Sequence, residues 1–421
     1  MMQINCWKRA HSKVRMKIWH LTKTLAGGAG QYALRLSDAL RAAGMESTVL
    51  VAEGPVTDGA MQLKRVDSPL RRLTARGIRS LSHRISNGPF HSLHGQELYE
   101  SPDAIKDGDI VHLHGMTGWI GIAGLKQLVS PVVQIFQTTH GPWDISGGCV
   151  LLAGHTCQGF QTTCSKCPVL KNPWKAYARA ELQTKKSFVK NFGIQPIANG
   201  EWMAARIRES AMYADVEVIP IITPIIEEAY LKSPISDLRA ELDIPPDAQV
   251  ICMGARSLTD PYKGILELLT KIAQKKTLAD KITIMLFGEG EITVPDNLDI
   301  RILGEVSKPN QLARIYKTSD LYVSPSKMES FGITLIEAQA VGTPVLGFDV
   351  GGIGGAVCPT QHTNLVKLND WEQLLEEIEN SLSRPNTDKL RVRLRSWAAK
   401  SFSGVKVARK QIACYQNALS L

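Results

Sequence analysis

Apolar strand-like runs alternate with helix-like periodic stretches along most of this 421-residue chain, and the alternation occurs in two successive sets. A strand followed by a helix and another strand needs a crossover, and such crossovers make parallel neighbours. In the first set the pattern predicts strands at 17–21, 47–51, 109–114, 132–138, 195–198 and 217–220. Helices fit 31–43, 120–128, 174–189 and 202–211. In the second set strands fit 249–254, 282–287, 300–303, 321–324 and 344–348, and helices fit 264–274, 310–318, 331–341 and 371–381. Prolines break the periodicity near 220–234 and mark a hinge. The expected class is α/β, with two Rossmann-like, doubly wound parallel-sheet domains. In open parallel sheets the ligand crevice lies at the carboxyl ends of the strands.

Composition supports two folded domains, since 44% of residues are apolar. No apolar run reaches the roughly 20 residues of a membrane-spanning helix. Residues 1–15 are charged and lack an apolar signal segment, so they read as a disordered leader. Charge is uneven. Residues 1–200 carry 24 Lys and Arg against 12 Asp and Glu, while residues 201–421 carry 25 against 28. The basic first half predicts an anionic partner. The best candidate patch runs from Lys64 and Arg65 through Arg71, Arg72, Arg76, Arg79 and Arg84. Leu70, Leu73, Ile78, Leu81 and Ile85 fall near one face of the same stretch. That is the pattern of a helix lying on an anionic membrane surface, and equally of an ordinary solvated helix. No nucleic-acid-binding signature accompanies the charge.

The stretch from Pro325 to Ala338 carries the most chemistry. A short apolar strand ends at Ser324, small residues Ser330 and Gly332 mark a turn, and an apolar helix follows. Glu329 and Glu337 stand eight residues apart across that turn. With Glu329 in the loop, it overhangs the helix start, where the N–H groups of Ser330, Phe331 and Gly332 form an anion site. One acid then holds sugar hydroxyls, the other ribose hydroxyls, and the N–H groups the diphosphate. The alternative is a helix start carrying stabilising acids.

Gly342-Thr343-Pro344 and the Gly351–Gly355 loop follow at matching distances. Together these residues resemble retaining glycosyltransferases of the GT-B fold, glycosyltransferase family 4, where Glu-x7-Glu is a signature. The resemblance runs from about Met16 onward. It implies two Rossmann-like domains facing a cleft: an acceptor-side domain at 16–225, a nucleotide-sugar domain at 226–387, and a terminal helical segment at 388–421 crossing back to the first. The implied activity is transfer of a hexose from a nucleoside-diphosphate sugar to a saccharide acceptor. That acceptor is lipid-linked, as in capsule, exopolysaccharide and colanic-acid enzymes. The implied place is the cytoplasmic side, peripheral at the inner face of the plasma membrane. In retention, the leaving diphosphate accepts the acceptor's proton, so no dedicated base and no catalytic cofactor are required. The protein positions the reactants and stabilises charge.

On this resemblance Lys263 and Arg256 clamp the diphosphate, and Gly288 lets the backbone approach the nucleotide. Glu329, Ser330, Phe331, Gly332 and Glu337 complete the donor site. Gly27 and Gly28 sit against donor phosphates and acceptor. His140, at the carboxyl end of a strand, contacts the reacting sugar, with Glu329 and Lys263 as its catalytic partners. His112 and His114 read as structural histidines, and Asp144 as a looser candidate for acceptor contact. Asp107-Gly108-Asp109 matches an Asp-x-Asp metal pattern but precedes its strand, and reads as a turn. The chain departs from the family at 220–224 and at Gly354-Gly355, where an acidic residue is usual.

Four of the eight cysteines cluster as Cys149, Cys157, Cys164 and Cys167 within an insertion at 145–170. The closing Cys-x2-Cys suits a structural zinc site. Two disulfides and free thiols are the alternatives. Two other functional readings stay open on sequence alone. One is a sugar-nucleotide epimerase of similar fold, the other a non-catalytic nucleotide-sugar-binding protein.

Overall fold

The computed structural model describes residues 16–93, 97–103, 105–130, 132–151, 156–232, 234–384 and 387–419, so the predicted leader lies outside the described residues. The chain divides into two compact units. The first comprises the chain through Asn199, then Met203–Ile222 and Val407–Leu421; the second comprises Gly200–Trp202 and Thr223–Lys406.

The first unit holds a six-stranded parallel sheet. Its strands are β1 (Lys17–Thr22), β2 (Glu46–Val51), β3 (Ala60–Gln62), β4 (Ile110–His114), β5 (Gln134–Thr139) and β6 (Gln195–Ala198). Their order is β3-β2-β1-β4-β5-β6, so the winding reverses between β1 and β4. All five residues of β4 are buried, as a strand covered on both faces requires. Helices α1 (Gly28–Ala42), α2 (Pro69–Arg84), α3 (Ile122–Leu128), α4 (Tyr177–Asn191) and α5 (Glu201–Glu209) belong to this part of the chain. Helix α1 buries Tyr32, Ala33, Leu36 and Leu40, one face at helical spacing.

The second unit repeats the design. Strands β7 (Gln249–Ser257), β8 (Ile282–Glu289), β9 (Asp299–Ile302), β10 (Leu321–Ser324), β11 (Val345–Phe348) and β12 (Leu365–Val366) are ordered β9-β8-β7-β10-β11-β12. The winding reverses between β7 and β10. Helices α6 (Ile265–Gln274), α7 (Pro309–Thr318), α8 (Ile333–Val341), α9 (Trp371–Ser383) and α10 (Asp388–Phe402) follow, and α11 (Gly404–Leu419) ends the described chain. Helix α8 is buried all round from Leu335 to Val341, which is why it shows no polar face. Burying Leu335 and Ile336 contributes about 1.5–3 kcal/mol each. Gly342 ends it at φ 96°, and the N–H of Thr343 bonds the Ala338 carbonyl at 2.9 Å.

Two expectations are corrected. Residues 217–220 form no strand: Val218 is exposed, and Ile221 makes an isolated bridge to Ala198. Pro220 has no N–H to give a ladder, and only its carbonyl is used, by Ala198 at 2.9 Å. The helix expected from Phe331 starts at Ile333, because Gly332 turns left-handed at φ 95°. The terminal helical segment consists of α10 and α11, separated at Ser403.

Candidate donor and acceptor sites

In the second unit, the switch point brings together the loops that follow β7 and β10. Gly264 caps α6 at φ 67°, and a Cβ there would stand 2.2 Å from the Pro325 carbonyl oxygen. The Lys327 N–H bonds the Tyr262 carbonyl at 2.8 Å. These contacts fasten one loop to the other. The result is that Lys263 Nζ donates to Glu329 Oε2 at 2.8 Å. Glu329 holds the Lys263 ammonium above its ordinary pKa, against the opposing effect of burial.

The other Glu329 oxygen accepts the N–H of Ser330 at 3.2 Å, so that N–H is occupied by a side chain. The Glu329 carbonyl accepts the Gly352 N–H at 3.0 Å. Gly352 has no room for a Cβ, which would lie 2.1 Å from the Ser330 carbonyl oxygen. The second glycine-rich loop therefore packs directly on Glu329 and Ser330. Phe331 is buried and packs edge-on against Phe402.

Glu337 is buried on α8, and the Tyr316 hydroxyl donates to its Oε2 at 3.3 Å. The Tyr322 hydroxyl is raised first by burial and further by both Glu329 and Glu337, so the two carboxylates act on one neighbourhood. Arg256 is exposed at the penultimate position of β7. Gly288 has φ 145°, and a Cβ there would lie 2.0 Å from the Ala255 carbonyl oxygen. The close approach at Gly288 is thus between two strand ends. Lys327, which sequence reasoning passed over, pairs with Glu267 and lies over the Trp371 ring.

In the first unit, the corresponding switch point lies between β1 and β4. Gly27 precedes α1 at φ 92°, Gly28 opens that helix, and a Cβ on Gly30 would lie 1.9 Å from the Thr24 carbonyl oxygen. Gly115, just after β4, would bring a Cβ to 3.0 Å from Ala29. His140 follows β5, partly exposed, with its ring 5.0 Å from Tyr32. The His140 backbone N–H donates to Asp144 Oδ2 at 2.9 Å.

Asp144 is therefore structural rather than a contact for an acceptor. It is buried, it also accepts from Gln137 Nε2 at 2.9 Å, and burial raises its pKa. Buried Lys185, lowered to about 8 by desolvation, lies near it and donates to the Trp143 and Ser146 carbonyls. Asp109 likewise serves the fold, accepting from Trp19 Nε1 at 2.8 Å and from the N–H groups of Lys17 and Lys106.

His112 and His114 are fully buried, joined by His20, which sequence reasoning missed. His112 bonds the Tyr415 hydroxyl at 2.7 Å and Thr138 Oγ1 at 2.8 Å. His20, His112 and His114 place one ligand-type nitrogen each within 4.8 Å of the others. The ring nitrogens of His112 and His114 already have partners within the protein.

Cys149, Cys157, Cys164 and Cys167 are free thiols lining one cavity of about 830 Å³. Burial pushes Cys149 up to about 12 and Cys164 up to about 11, and Cys157 and Cys167 nearby raise both further. Cys167 accepts N–H groups from Val169 and Leu170, and Cys164 from Gly147, and these bonds favour the thiolate.

Two Rossmann-like units, each with loops gathered at its switch point, define a GT-B protein. Residues 235–401 match the family model described as Glycosyl transferases group 1, and residues 26–221 match that of Glycosyltransferase Family 4. The chain thus carries two glycosyltransferase-family regions, Family 4 at 26–221 and group 1 at 235–401, on a GT-B-type fold. A D-inositol 3-phosphate glycosyltransferase of Segniliparus rotundus is 29% identical over 251 residues, 53% of this chain and 54% of that protein. A lipopolysaccharide 1,2-N-acetylglucosaminetransferase of Salmonella typhimurium is 25% identical over 231 residues, 51% of this chain and 60% of that protein. The match thus spans about half the length of these relatives. In fold the chain is similar to sucrose-phosphate synthase from Thermosynechococcus elongatus, with a TM-score of 0.66 at 20% identity, covering 96% of this chain and 100% of the other. It is also similar to Anabaena Alr3699/HepE crystallised with UDP-glucose, with a TM-score of 0.62 at 17% identity and coverage of 96% and 100%.

Proposed function

We propose that this protein moves a hexose from a nucleoside-diphosphate sugar to a saccharide acceptor, with retention at the anomeric carbon. The observation that carries the reading is the Lys263–Glu329 pair at the second switch point. An ammonium beside a helix start suits a diphosphate, and a carboxylate beside it suits sugar hydroxyls. When donor binds, Lys263 turns from Glu329 to the diphosphate, with Arg256 from the exposed strand end as its helper. Glu329 is then released to accept from sugar hydroxyls. As the anomeric C–O bond breaks, charge grows on the leaving diphosphate, and Lys263 stabilises it. The diphosphate oxygen takes the proton of the attacking hydroxyl on the same face. His140 hydrogen-bonds the sugar.

The acceptor is read as a lipid-linked saccharide of cell-surface polysaccharide synthesis, met at an anionic membrane. Helix α2 supports this, since Leu70 is 72% and Leu73 65% exposed on a helix rich in arginine. A second reading is an inositol-phosphate acceptor, as several relatives are named for it. The basic first half suits that phosphate as well. The cysteine loop is read as a structural zinc site. Cys149, Cys157, Cys164 and Cys167 would have to draw closer to hold the ion, since among the described residues only His20, His112 and His114 bring three ligand-type atoms within 4.8 Å of one another, while the N–H bonds to Cys164 and Cys167 favour two of the thiolates.

The test is transfer of radiolabelled sugar from a panel of UDP-, GDP- and ADP-sugars to membrane lipid extract and to inositol phosphate. Label in the lipid fraction, with the anomeric configuration of the donor, is the expected result. Label in inositol phosphate alone favours the second reading, and none in either acceptor contradicts both.

A further inference from the structure

Four histidines of the first unit form a connected group, and three of them make a single hydrogen-bonded chain. His20 on β1 is in register with His112 on the adjacent parallel strand β4, and His114 lies two residues further on. Side chains two apart on a strand share a face, so the three imidazoles meet on one side of the sheet. His20 Nδ1 lies 3.0 Å from His114 Nε2. His114 Nδ1 lies 3.2 Å from His140 Nε2. His112 stands beside this chain and is bonded elsewhere, to Tyr415 and Thr138.

Burial lowers His20 to about 3 and His114 well below its ordinary value, and loss of solvation lowers the partly exposed His140 in the same direction, so all three rings are neutral near pH 7. A neutral imidazole has one N–H and one lone pair. Each ring must therefore donate on one side and accept on the other, and the chain has two consistent arrangements. Either every proton sits on Nδ1 or every proton sits on Nε2. The two differ at the inner end. His20 Nε2 is buried with no hydrogen-bond partner among the described residues. In one arrangement it is an orphaned N–H, in the other an orphaned lone pair. The positive charge of Arg41, the second influence on His20 after burial, favours a lone pair over an N–H.

We propose that His114 and His20 are positioning residues that hold His140 as the Nδ1–H tautomer, so that His140 offers its ligand a hydrogen-bond donor. The proton order is then His20 Nδ1–H to His114 Nε2, and His114 Nδ1–H to His140 Nε2. His140 Nε2 is filled from behind and is no longer free to act as a base. This deepens the proposed function and rests on it in one respect, that the ligand of His140 is the sugar.

The experiment is long-range proton–nitrogen NMR of the full chain labelled with ¹⁵N-histidine. Signals are assigned by the variants His20→Asn, His114→Phe and His140→Gln. Wild type is expected to show pyrrole-type Nδ1 and pyridine-type Nε2 at both His114 and His140. In His114→Phe, the His140 signals should move to averaged positions, and KM for donor sugar should rise about tenfold with a smaller change in kcat. His20→Asn, which keeps a donor at the inner end, should keep the wild-type tautomer at His140. An Nε2–H tautomer at His140 in wild type overturns the proposal, and that result needs only the assignment variant His140→Gln, at the partly exposed end of the chain, to fold. So does a His140 tautomer unchanged by His114→Phe. A stoichiometric divalent ion lost on His20→Asn substitution also overturns it, since coordination would take the same nitrogens. Absence of sugar transfer with the expected tautomers present would count against the functional reading and leave the hydrogen-bond chain standing.

Discussion

Lys263 and Glu329 are 66 residues apart in the chain and 2.8 Å apart in space. The two loops that carry them leave β7 and β10, neighbouring strands on either side of the point where the sheet reverses its winding. The pair is partly exposed, at 31% and 23% for the two side chains. Such pairs contribute at most about 1 kcal/mol to folding. Lys263→Met is therefore expected to change stability by less than about 1 kcal/mol and to lower transfer rate by about 10²–10³-fold. Urea denaturation and the transfer assay, run on the same sample, separate the two effects. Equal loss in both would make Lys263 a structural residue.

Gly264 is the fastener of that arrangement. Its φ of 67° is left-handed and its would-be Cβ stands 2.2 Å from a backbone oxygen. Gly304 has a similar φ of 66° with open space around it. Gly304→Ala should cost about 1–2 kcal/mol from backbone strain alone. Gly264→Ala adds a collision and should cost at least about 3 kcal/mol. Equal losses by chemical denaturation would mean that the two loops are not pressed together.

The buried histidines set a pH dependence with a definite sign. In the unfolded chain His20 takes up a proton near pH 6.5, while in the folded protein burial delays this to about 3. Between those values the unfolded state binds the extra proton, so stability falls as pH falls. The loss is about 1.4 kcal/mol per pH unit below about 6 for this one residue. Denaturation at pH 7.5 and 5.5 should show it, with a shallower slope in His20→Asn. Stability independent of pH over that range would contradict the buried placement.

How much of this was legible beforehand depended on burial. The central strands β1, β4, β7, β8 and β10 are mostly buried and rich in apolar residues, and such segments announce themselves. Edge strands Ala60–Gln62 and Leu365–Val366 are two or three residues long and give no periodicity to read. Residues 217–220 carry strand-forming residues, but Pro220 cannot donate and no ladder forms. The Lys263 and Glu329 motifs were visible because each sits in a run of matching residues. The histidine chain was not, because it depends on the register of β1 against β4. His112 and His114, alternating on one strand, were the available signal, and nothing local pointed to His20 as their neighbour.

Helix α2 offers a test of membrane contact. Its exposed leucines have no packing role, so Leu70→Ser with Leu73→Ser should leave stability within about 0.5 kcal/mol. Binding to vesicles containing anionic lipid should weaken by about tenfold or more, and wild-type binding should fall as salt rises. Unchanged co-sedimentation would assign the helix to solvent.

For the cysteine loop, metal analysis of protein purified without chelators is expected to find about one zinc per chain, reduced in Cys164→Ser and in Cys167→Ser. A metal-free wild-type protein in which all four loop cysteines titrate as free thiols would exclude the zinc reading.

The most direct test of the donor site is a thermal-shift series with UDP, GDP, ADP and their sugars on wild type and Lys263→Met. At about 100 times its dissociation constant, the true nucleotide should add about 2.7 kcal/mol and raise the wild-type melting temperature by several degrees. Lys263→Met should lose most of that rise. Stabilisation by none of the nucleotides, or an equal rise in the variant, would contradict the account.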